Sequence, residues 1–582
     1  MLASRLDKLL IAPQSNKFNP QVIFWLSLSL TFAIYYGWLA LQQAFEYQYV
    51  IQDDARQHVF WMERFIDKDV FPHDLIADYF QSIAPPGYGA IYQLMASLKI
   101  HPIFLSKILP PILGVIATVY CFGCVIQIFP VPVAGFIATL LLNQNLWMKD
   151  DLASGTPRAF LYPLFLAFLY YLIQDSWLPV CALILLQGMF YPQFVFICAG
   201  ILILRLLNWQ NRCDWRLSAV GLGVAGLVIL PYAWQQSKFG PVISASQARL
   251  MPDFSLDGRA RFFVDNSWQF WFHGQRTGIL PLEWGDLPYN YFPLILGIGL
   301  SLILLIRYRL WFPLVEQIKP QIRVLPELGL ASLGMFFLAH ALLFKLHLPS
   351  RYTQHSLRIL MAISAAISLT IILDAILNLG RKSGKPYRKI RQILGLATTV
   401  LFATILVSYP NSLEKFPSVS YKIGKSTALY QFFQEQPKDI LIASLAEEAG
   451  NLPSFAKRSI LTARQYAIPY HLGYYNQIRQ RSIDLINAQY SPDFQEVKNF
   501  IHKYKIDFWL LDKTAFTPDY LTEDRKNSNR VWIRQHQTPA NDALQQLQNG
   551  TIPALLAFTK TCAVFDTHHF TVIQADCIIR KT

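Results

Sequence analysis

Residues 22–43, VIFWLSLSLTFAIYYGWLALQQ, contain no charged side chain. A helix of about 20 apolar residues spans the ~30 Å hydrocarbon core of a lipid bilayer. No small-residue cleavage site follows this stretch, so we expect an uncleaved first transmembrane helix rather than a removed signal peptide. The stretch therefore indicates an integral membrane protein.

The apolar character extends over most of the chain. Of the 582 residues, 53% are hydrophobic and 15% are charged, whereas soluble domains carry about 25% charged residues. A further segment, 178–207, is either a helical hairpin or a broken helix around Tyr191, Pro192 and Gln193. We predict an α-helical polytopic membrane protein with about ten or eleven membrane helices. The remaining predicted spans are 103–128, 132–147, 159–174, 218–235, 290–306, 326–346, 355–378 and 392–409.

The basic residues predict the orientation of these helices. The net charge is +14, and cytoplasmic loops of membrane proteins are rich in Lys and Arg. If 178–207 returns to the side it left, all basic clusters share one side, the predicted cytoplasm. The clusters are the N-terminus, then Arg205, Arg212 and Arg216, then Arg307, Arg309, Lys319 and Arg323, and finally 381–391. We therefore expect a bacterial plasma membrane protein with a cytoplasmic N-terminus. The sequence shows no basic face interleaved with aromatic residues, which is the pattern that would predict nucleic-acid binding.

The opposite, extracytoplasmic side then holds the long first loop 44–102, the loops 149–158, 236–289 and 347–355, and the tail. We predict a membrane domain over 1–409 and a soluble α/β domain over 410–582. In this tail, DILIAS (439–444) and IDFWLLD (506–512) indicate buried strands, and 491–505 indicates an amphipathic helix between them.

The cysteines fall into two classes. Cys121 and Cys124 lie within an apolar span, which favours helix packing over metal or redox chemistry. Cys562 and Cys577 flank two predicted neighbouring strands of the tail. In an oxidising compartment these two could form a disulfide, and two buried free thiols are the alternative.

Two adjacent carboxylates, Asp53 and Asp54, begin the segment DDARQHVFWMERFIDKDV (53–70). Its helical spacing predicts an amphipathic surface helix, with Val59, Met62, Phe65 and Ile66 on one face. Carboxylates at a helix N-terminus interact favourably with the helix dipole. The pair is therefore either an acidic helix cap or part of an active site.

A second acidic pair, Asp150 and Asp151, follows the third predicted span on the same side. The pair is either a solvated membrane boundary or a partner of the first pair in one cleft. Clustered carboxylates can act as general bases or bind Mg²⁺ or Mn²⁺. His58, four residues after Asp54, would share its helix face and is a candidate additional metal ligand.

Arg351, in LHLPSRYTQHSLR (346–358), lies just outside a predicted membrane helix. Its guanidinium group suits bidentate phosphate binding, and an interfacial anchor reaching the lipid headgroups is the alternative. The sequence contains no Walker or dinucleotide glycine motif, no HExxH and no GxSxG. Few charges lie mid-membrane and no internal repeat is visible, which disfavours an ion-coupled transporter.

In its order of motifs the chain resembles the GT-C superfamily of membrane glycosyltransferases, which use polyprenyl-phosphate-linked sugars. A first span leads to a long loop that opens with QDDARQH and ends with APPGYGAIYQLM. A second acidic site follows in WMKDDLASGTPRAFLYPLFLAFLYYL, a late loop holds PSRY, and a soluble domain closes the chain. The layout matches over the whole length, and the motifs match in the first ~175 residues and around Arg351.

The resemblance implies roles for these residues. Asp53 or Asp54 would be the catalytic or acceptor-binding carboxylate, and Asp150 or Asp151 would contact the acceptor or a metal. Arg351, with Arg158 and Tyr352, would bind the donor phosphate. The adjacent DD differs from the spaced acidic motif of the oligosaccharyltransferase branch, and this difference bears on metal dependence.

We therefore expect an inverting glycosyltransferase that moves a sugar from a polyprenyl-phosphate donor to a hydroxyl of a glycan, lipid or protein. A flippase for lipid-linked glycans would use the same membrane grooves without a base. A non-catalytic membrane scaffold would need neither the base nor the donor, and a degenerate family member would bind the donor without transferring its sugar.

Overall fold

The apolar runs of the sequence form a bundle of helices in a computed structural model of the chain. The structure describes residues 19–207, 212–234, 237–284, 297–379, 385–522 and 527–581. The basic N-terminus and residues 381–384 of the basic cluster lie outside this part, as does the beginning of the span predicted at 290–306. The fold class is nevertheless as predicted, with membrane helices followed by a small α/β unit.

Ten apolar helices of the described part account for most of the predicted spans. Six are long and apolar enough to cross a bilayer, and four shorter ones have 10–17 residues. A further helix, at the span predicted for 132–147, is buried along nearly its whole length. The helices up to the tail are α1 Pro20–Ala44, α2 Ala55–His58, α3 Leu75–Ser82, α4 Pro86–Ser97, α5 Pro102–Ile128, α6 Pro132–Trp147, α7 Asp150–Ala153, α8 Leu161–Ile173, α9 Trp177–Phe190, α10 Val195–Leu207, α11 Arg212–Trp234, α12 Ala245–Arg249, α13 Leu302–Arg307, α14 Val324–Ala341, α15 Ser350–Leu379 and α16 Lys385–Ser408.

Segment 178–207 is a helical hairpin. Its two helices, α9 and α10, are separated by a single 3-10 turn at Pro192–Phe194. Leu202 of α10 and Ile184 of α9 lie at the same level along α11, where both face Gly221. Since α10 returns to the side from which α9 started, the condition that placed the basic clusters on one side is met.

The tail contains a five-stranded sheet. The strands are β3 Leu441–Ala443, β4 Ser459–Ile460, β5 Phe508–Asp512, β6 Ala563–Asp566 and β7 Phe570–Gln574, in the order β4-β3-β5-β7-β6. β3 is parallel to β4 and β5, and β7 is antiparallel to β5 and β6. Both predicted strands and the helix between them are confirmed. The tail helices are α17 Thr427–Glu435, α18 Leu452–Phe455, α19 Leu472–Tyr490, α20 Phe494–Tyr504, α21 Pro518–Leu521, α22 Ser528–Arg534, α23 Gln537–Gln548, α24 Phe558–Thr561 and α25 Ala575–Arg580.

The cysteines behave as two classes. Cys562 and Cys577 form a disulfide that ties the edge of the sheet to α25. Cys121 and Cys124 are buried free thiols, and the Cys124 thiol donates to the Leu166 carbonyl at 3.5 Å. The second pair therefore contributes to helix packing, as the apolar surroundings predicted.

The tail is joined to the first loop by backbone pairing. The strand β1 Val50–Gln52 pairs antiparallel with β2 Tyr421–Ile423, at the point where the first loop begins. The loop then passes beneath the tail, where the rings of Phe60 and Tyr466 lie 5.4 Å apart. The acidic stretch QDDARQH is thereby held between the helical bundle and the tail.

The predicted surface helix over 53–70 is wrong. The structure has only the single turn α2 and a 3-10 helix at Phe60–Phe65. Val59, Phe60, Trp61 and Met62 are all buried, because the tail covers the side that the periodicity assigned to solvent. A segment enclosed on both sides needs no amphipathic face.

Candidate active site

Arg158 connects the two acidic pairs. Its Nη2 atom donates to the Asp54 carboxylate, and its Nη1 atom lies 2.8 Å from Oδ1 of Asp151. Positions 54 and 151 are far apart in sequence, on the first loop and after α6. The structure thus brings one member of each predicted pair to a single guanidinium group.

A tight turn after α7 places Arg158 in this position. Gly155 has a φ of +60°, and a β-carbon there would lie 2.7 Å from the Ser106 carbonyl oxygen. Only glycine fits such a left-handed, closely packed position without strain. The Tyr92 hydroxyl fixes the turn by donating to the Gly155 carbonyl at 2.9 Å, and a 3-10 helix at Pro157–Phe160 then carries Arg158 back towards the first loop.

Asp151 is the buried centre of the site. Besides Arg158, it accepts a hydrogen bond from Arg358 Nη1 at 2.7 Å, and Lys149 Nζ lies 4.0 Å away. Burial alone would raise the pKa of this carboxyl, but Lys149, Arg358 and the other nearby positive charges outweigh burial and lower it. Asp151 is therefore ionised at neutral pH and holds the cations around it in place.

Asp150 has a different environment from its neighbour. Among the described residues it forms no ion pair, and burial and the negative charge of Asp151 together raise its pKa. The two members of the second acidic pair are therefore not equivalent, because Asp151 pairs with Arg158, whereas Asp150 lies only within electrostatic range of Arg351 and Asp53.

Asp53 and Asp54 also differ in their ion-pair partners. The Asp53 carboxylate forms an ion pair with Arg56, whereas Asp54 pairs with Arg158. Burial would raise the pKa of Asp53, but Arg56, Lys422 and Arg259 hold it below its ordinary value. Asp53 thus faces the tail, and Asp54 faces Asp151.

Helix capping does not account for these two aspartates. Asp54 occupies the N-cap position of α2 but its side chain caps no N–H group. Instead, Oε1 of Gln52 accepts from the N–H groups of Asp54 and Ala55, at 2.7 and 3.1 Å. The carboxylates are oriented away by their arginine partners, so the alternative of an acidic cap does not hold for Asp54.

Arg351 approaches the same group of charges from the first turn of α15. It lies within electrostatic range of Asp150, Asp151 and Arg158. Within the described ranges its guanidinium group forms no ion pair with any carboxylate. Its neighbour Tyr352 is buried and donates its hydroxyl to the Leu346 carbonyl at 2.7 Å, so this side chain holds the turn before α15 and does not present its hydroxyl to a ligand.

Comparisons with known proteins address the fold of this chain. No family model matches it, and no curated protein matches it by sequence. Among solved structures, the apo oligosaccharyltransferase of Archaeoglobus fulgidus superposes with a TM-score of 0.54, at 14% identity, over 90% of this chain and 73% of that one. The oligosaccharyltransferase AglB of the same organism, solved with an inhibitory peptide and a dolichol-phosphate, gives a TM-score of 0.53 at 12% identity, over 89% of this chain and 72% of that one.

The chain shares the fold of these two oligosaccharyltransferase structures. The similarity extends over the membrane helices and the tail, because about nine-tenths of the chain is covered in both comparisons. The layout expected from the resemblance, membrane helices followed by a soluble unit, is thereby confirmed.

The clustered carboxylates predicted Mg²⁺ or Mn²⁺ as a possible cofactor, and the residues present do not fit one in this arrangement. The Arg158 guanidinium lies between Asp54 and Asp151 and forms an ion pair with each carboxylate. The described part of the chain contains no group of three His, Cys, Asp or Glu side chains that could hold a metal. His58, the predicted additional ligand, is half-buried with its ring 5.4 Å from that of Phe80, and desolvation lowers its pKa to about 4.

Several residues of the candidate site were not predicted from the sequence. Arg358 links Asp151 to Glu283, whose Oε1 atom accepts from Arg358 Nε at 2.6 Å. His355 Nδ1 lies 2.8 Å from the Tyr162 hydroxyl and 3.6 Å from Asp151. One signal was available, since positions 351, 355 and 358 share a helix face. Nothing in the sequence pattern pointed to Glu283 or Tyr162.

Proposed function

We propose that this protein transfers a sugar from a polyprenyl-phosphate donor to an acceptor hydroxyl at the membrane surface. The observation that carries the proposal is the meeting of Asp54 and Asp151 at Arg158, beside an arginine without an ion-pair partner among the described residues. A carboxylate next to a free guanidinium group suits a reaction in which one group receives a proton and another receives a leaving phosphate.

Arg351 is the proposed site of the donor phosphate. Its position at the start of a membrane helix lets a lipid tail remain in the bilayer while the phosphate and sugar reach the carboxylates. Guanidinium groups bind phosphate oxygens bidentately and stay charged at neutral pH. The solved AglB structure contains a dolichol-phosphate, which supports a lipid-linked phosphate as the donor of this chain as well.

Asp54 is the proposed base. The acceptor hydroxyl would lose its proton to the Asp54 carboxylate as its oxygen attacks the anomeric carbon. The bond between that carbon and the phosphate oxygen breaks, and polyprenyl phosphate leaves with its negative charge next to Arg351. A single displacement inverts the anomeric configuration. Arg158 would hold Asp54 in position through its second contact, with Asp151.

We also propose that the site faces the extracytoplasmic side and that the tail from residue 410 forms a separate soluble domain there. The basic Arg205 and Arg323 support this orientation. Both form ion pairs with Glu327 near the start of α14. The site lies towards the other end of α14, where the loop that leads to Arg351 begins. Basic residues favour the cytoplasmic side. A bacterial plasma membrane is the proposed location.

The proposal is tested with the purified full-length chain in lipid nanodiscs. Polyprenyl-phosphate sugars carrying a radiolabelled hexose or pentose are supplied with a mixture of glycan, lipid and peptide acceptors. We expect release of polyprenyl phosphate together with labelled product of inverted configuration, read by nuclear magnetic resonance. Movement of donor across proteoliposomes without any product would instead identify a flippase, and donor binding without either would identify a scaffold or a non-transferring protein.

Removal of divalent metals should leave this transfer unchanged. Because Arg158 already pairs with both Asp54 and Asp151, and Arg358 also pairs with Asp151, we expect the initial rate in excess EDTA to stay within about twofold of the untreated rate. The matched control is the same assay with added MgCl₂ or MnCl₂. A rate that falls in EDTA and recovers with Mn²⁺ would show that the carboxylates rearrange to hold a metal.

A further inference from the structure

A strip of arginines continues from the proposed donor site towards the tail. It consists of Arg351, Arg276, Arg259 and Arg464, from α15, two positions of the loop 237–284 and a turn of the tail. Three contacts define its course. The Ser350 N–H group donates to the Arg276 carbonyl at 3.2 Å, which places Arg276 beside the start of α15.

The second contact joins the two loop arginines. Arg276 Nη2 lies 3.5 Å from the Arg259 carbonyl oxygen, and its guanidinium carbon lies 5.9 Å from the centre of the Tyr470 ring. The third contact reaches the tail, where Arg259 Nη2 lies 3.5 Å from the carbonyl oxygen of Gln465, the residue next to Arg464. The strip therefore crosses from the membrane helix to the tail without a gap in the chain of contacts.

The strip ends at the first loop. The Tyr466 hydroxyl donates to the Arg56 carbonyl at 3.1 Å, close to Asp53. Arg259 is in electrostatic range of Asp53 and of Arg276, and Arg464 is in range of Arg259. The strip and the acidic pairs thus border the same space.

The positive charge of the strip is not balanced. None of its four arginines forms an ion pair with a carboxylate within the described ranges, and the Nε atoms of Arg259 and Arg276 are buried without a hydrogen-bond partner. Asp53, which is in electrostatic range of Arg259 and Arg464, is already paired with Arg56. Partly buried guanidinium groups that repel each other are stabilised when an anion binds between them. Burial and the neighbouring arginines lower the pKa of Arg259 and of Arg464, each to about 10, so both remain charged at neutral pH.

We propose that Arg259, Arg276 and Arg464 bind a second anionic group of the substrates, separate from the phosphate at Arg351. The proposal rests on the proposed function, which assigns the first phosphate to Arg351. The shared chemistry is a phosphate or carboxylate held by two or three guanidinium groups. It belongs either to the donor, as the second phosphate of a diphosphate linkage, or to an acidic sugar.

The test measures binding to the full-length protein and needs no transfer. One arm compares farnesyl phosphate with farnesyl diphosphate, which share a lipid tail and differ by one phosphate. The other arm compares methyl glucuronide with methyl glucoside, which differ by one carboxylate. In the arm that matches the source, we expect the more anionic probe to bind on the order of tenfold more tightly, as for a charge-assisted hydrogen bond.

The variants connect this preference to the strip. The double variant Arg259→Gln/Arg464→Gln should lose the preference while keeping its affinity for farnesyl phosphate, and Arg351→Gln should lose affinity for both farnesyl probes. Arg249→Gln is the matched control, since Arg249 is exposed on the same loop and stacks on Phe263. Thermal unfolding curves establish that each variant is folded. If neither arm shows a preference, or if the preference survives in the double variant, the proposal is overturned, whatever the transfer assay shows.

Discussion

Replacing Asp54 by Asn is expected to reduce sugar transfer by about 100- to 10,000-fold, the range that a positioned general base contributes. Asparagine keeps the size and shape of the side chain but cannot accept a proton from the acceptor hydroxyl. The Arg158 guanidinium can still donate to the amide oxygen and keeps its contact with Asp151. The measurement is the initial rate of polyprenyl phosphate release at saturating donor.

Asp53→Asn is the matched control for this prediction, because the neighbouring carboxylate differs only in its partners. Arg56 would retain its hydrogen bond to Oδ1 of Asn451 at 2.8 Å, so the local structure should persist. We expect the rate to fall by no more than about tenfold, the effect of one lost charge-assisted contact. A larger loss in Asp53→Asn than in Asp54→Asn would reverse the proposed assignment.

Most of the architecture could be predicted from local patterns of hydrophobic residues in the sequence. Hydrophobic length predicted the membrane helices, and the condition that 178–207 returns to its starting side is met by the hairpin at Tyr191. The soluble strands were equally visible, because β3 and β5 are short apolar runs bounded by polar residues. These features depend on residues adjacent in sequence, which is why a single chain shows them.

Features set by distant contacts were not accessible in the same way. The periodicity of 53–70 predicted a surface helix. The segment does not form one, because the tail packs against the side that was expected to face solvent. The side chains of Asp53 and Asp54 differ only through Arg56 and Arg158, and Arg158 lies about a hundred residues further along the chain. A pair of adjacent aspartates therefore indicates a charged site, but it does not show which aspartate pairs with which arginine.

Replacing Asp151 by Asn should destabilise the protein by about 3–5 kcal/mol, as for removal of one partner from a buried ion pair. Asp151 is 1% exposed, and its loss would leave Arg158 and Arg358 facing each other with less negative charge between them. Glu283 still accepts from Arg358, so the fold should persist at reduced stability. The measurement is the free energy of unfolding in detergent micelles, from denaturant titrations of wild type and variant.

Asp150→Asn provides the matched comparison, and pH distinguishes the two. The lowered pKa of Asp151 means that its contribution is present above the ordinary Asp pKa of about 3.9 and is lost as the pH falls further. Asp150 contributes to stability with the opposite sign, because its raised pKa means that its ionised form opposes folding. We therefore expect Asp150→Asn to be neutral or stabilising by about 1 kcal/mol at pH 7, with this difference vanishing as acid protonates Asp150. Equal losses of unfolding free energy in both variants would mean that both carboxylates interact with the surrounding cations to the same extent. The preference of Arg158 for Asp151 would then be contradicted.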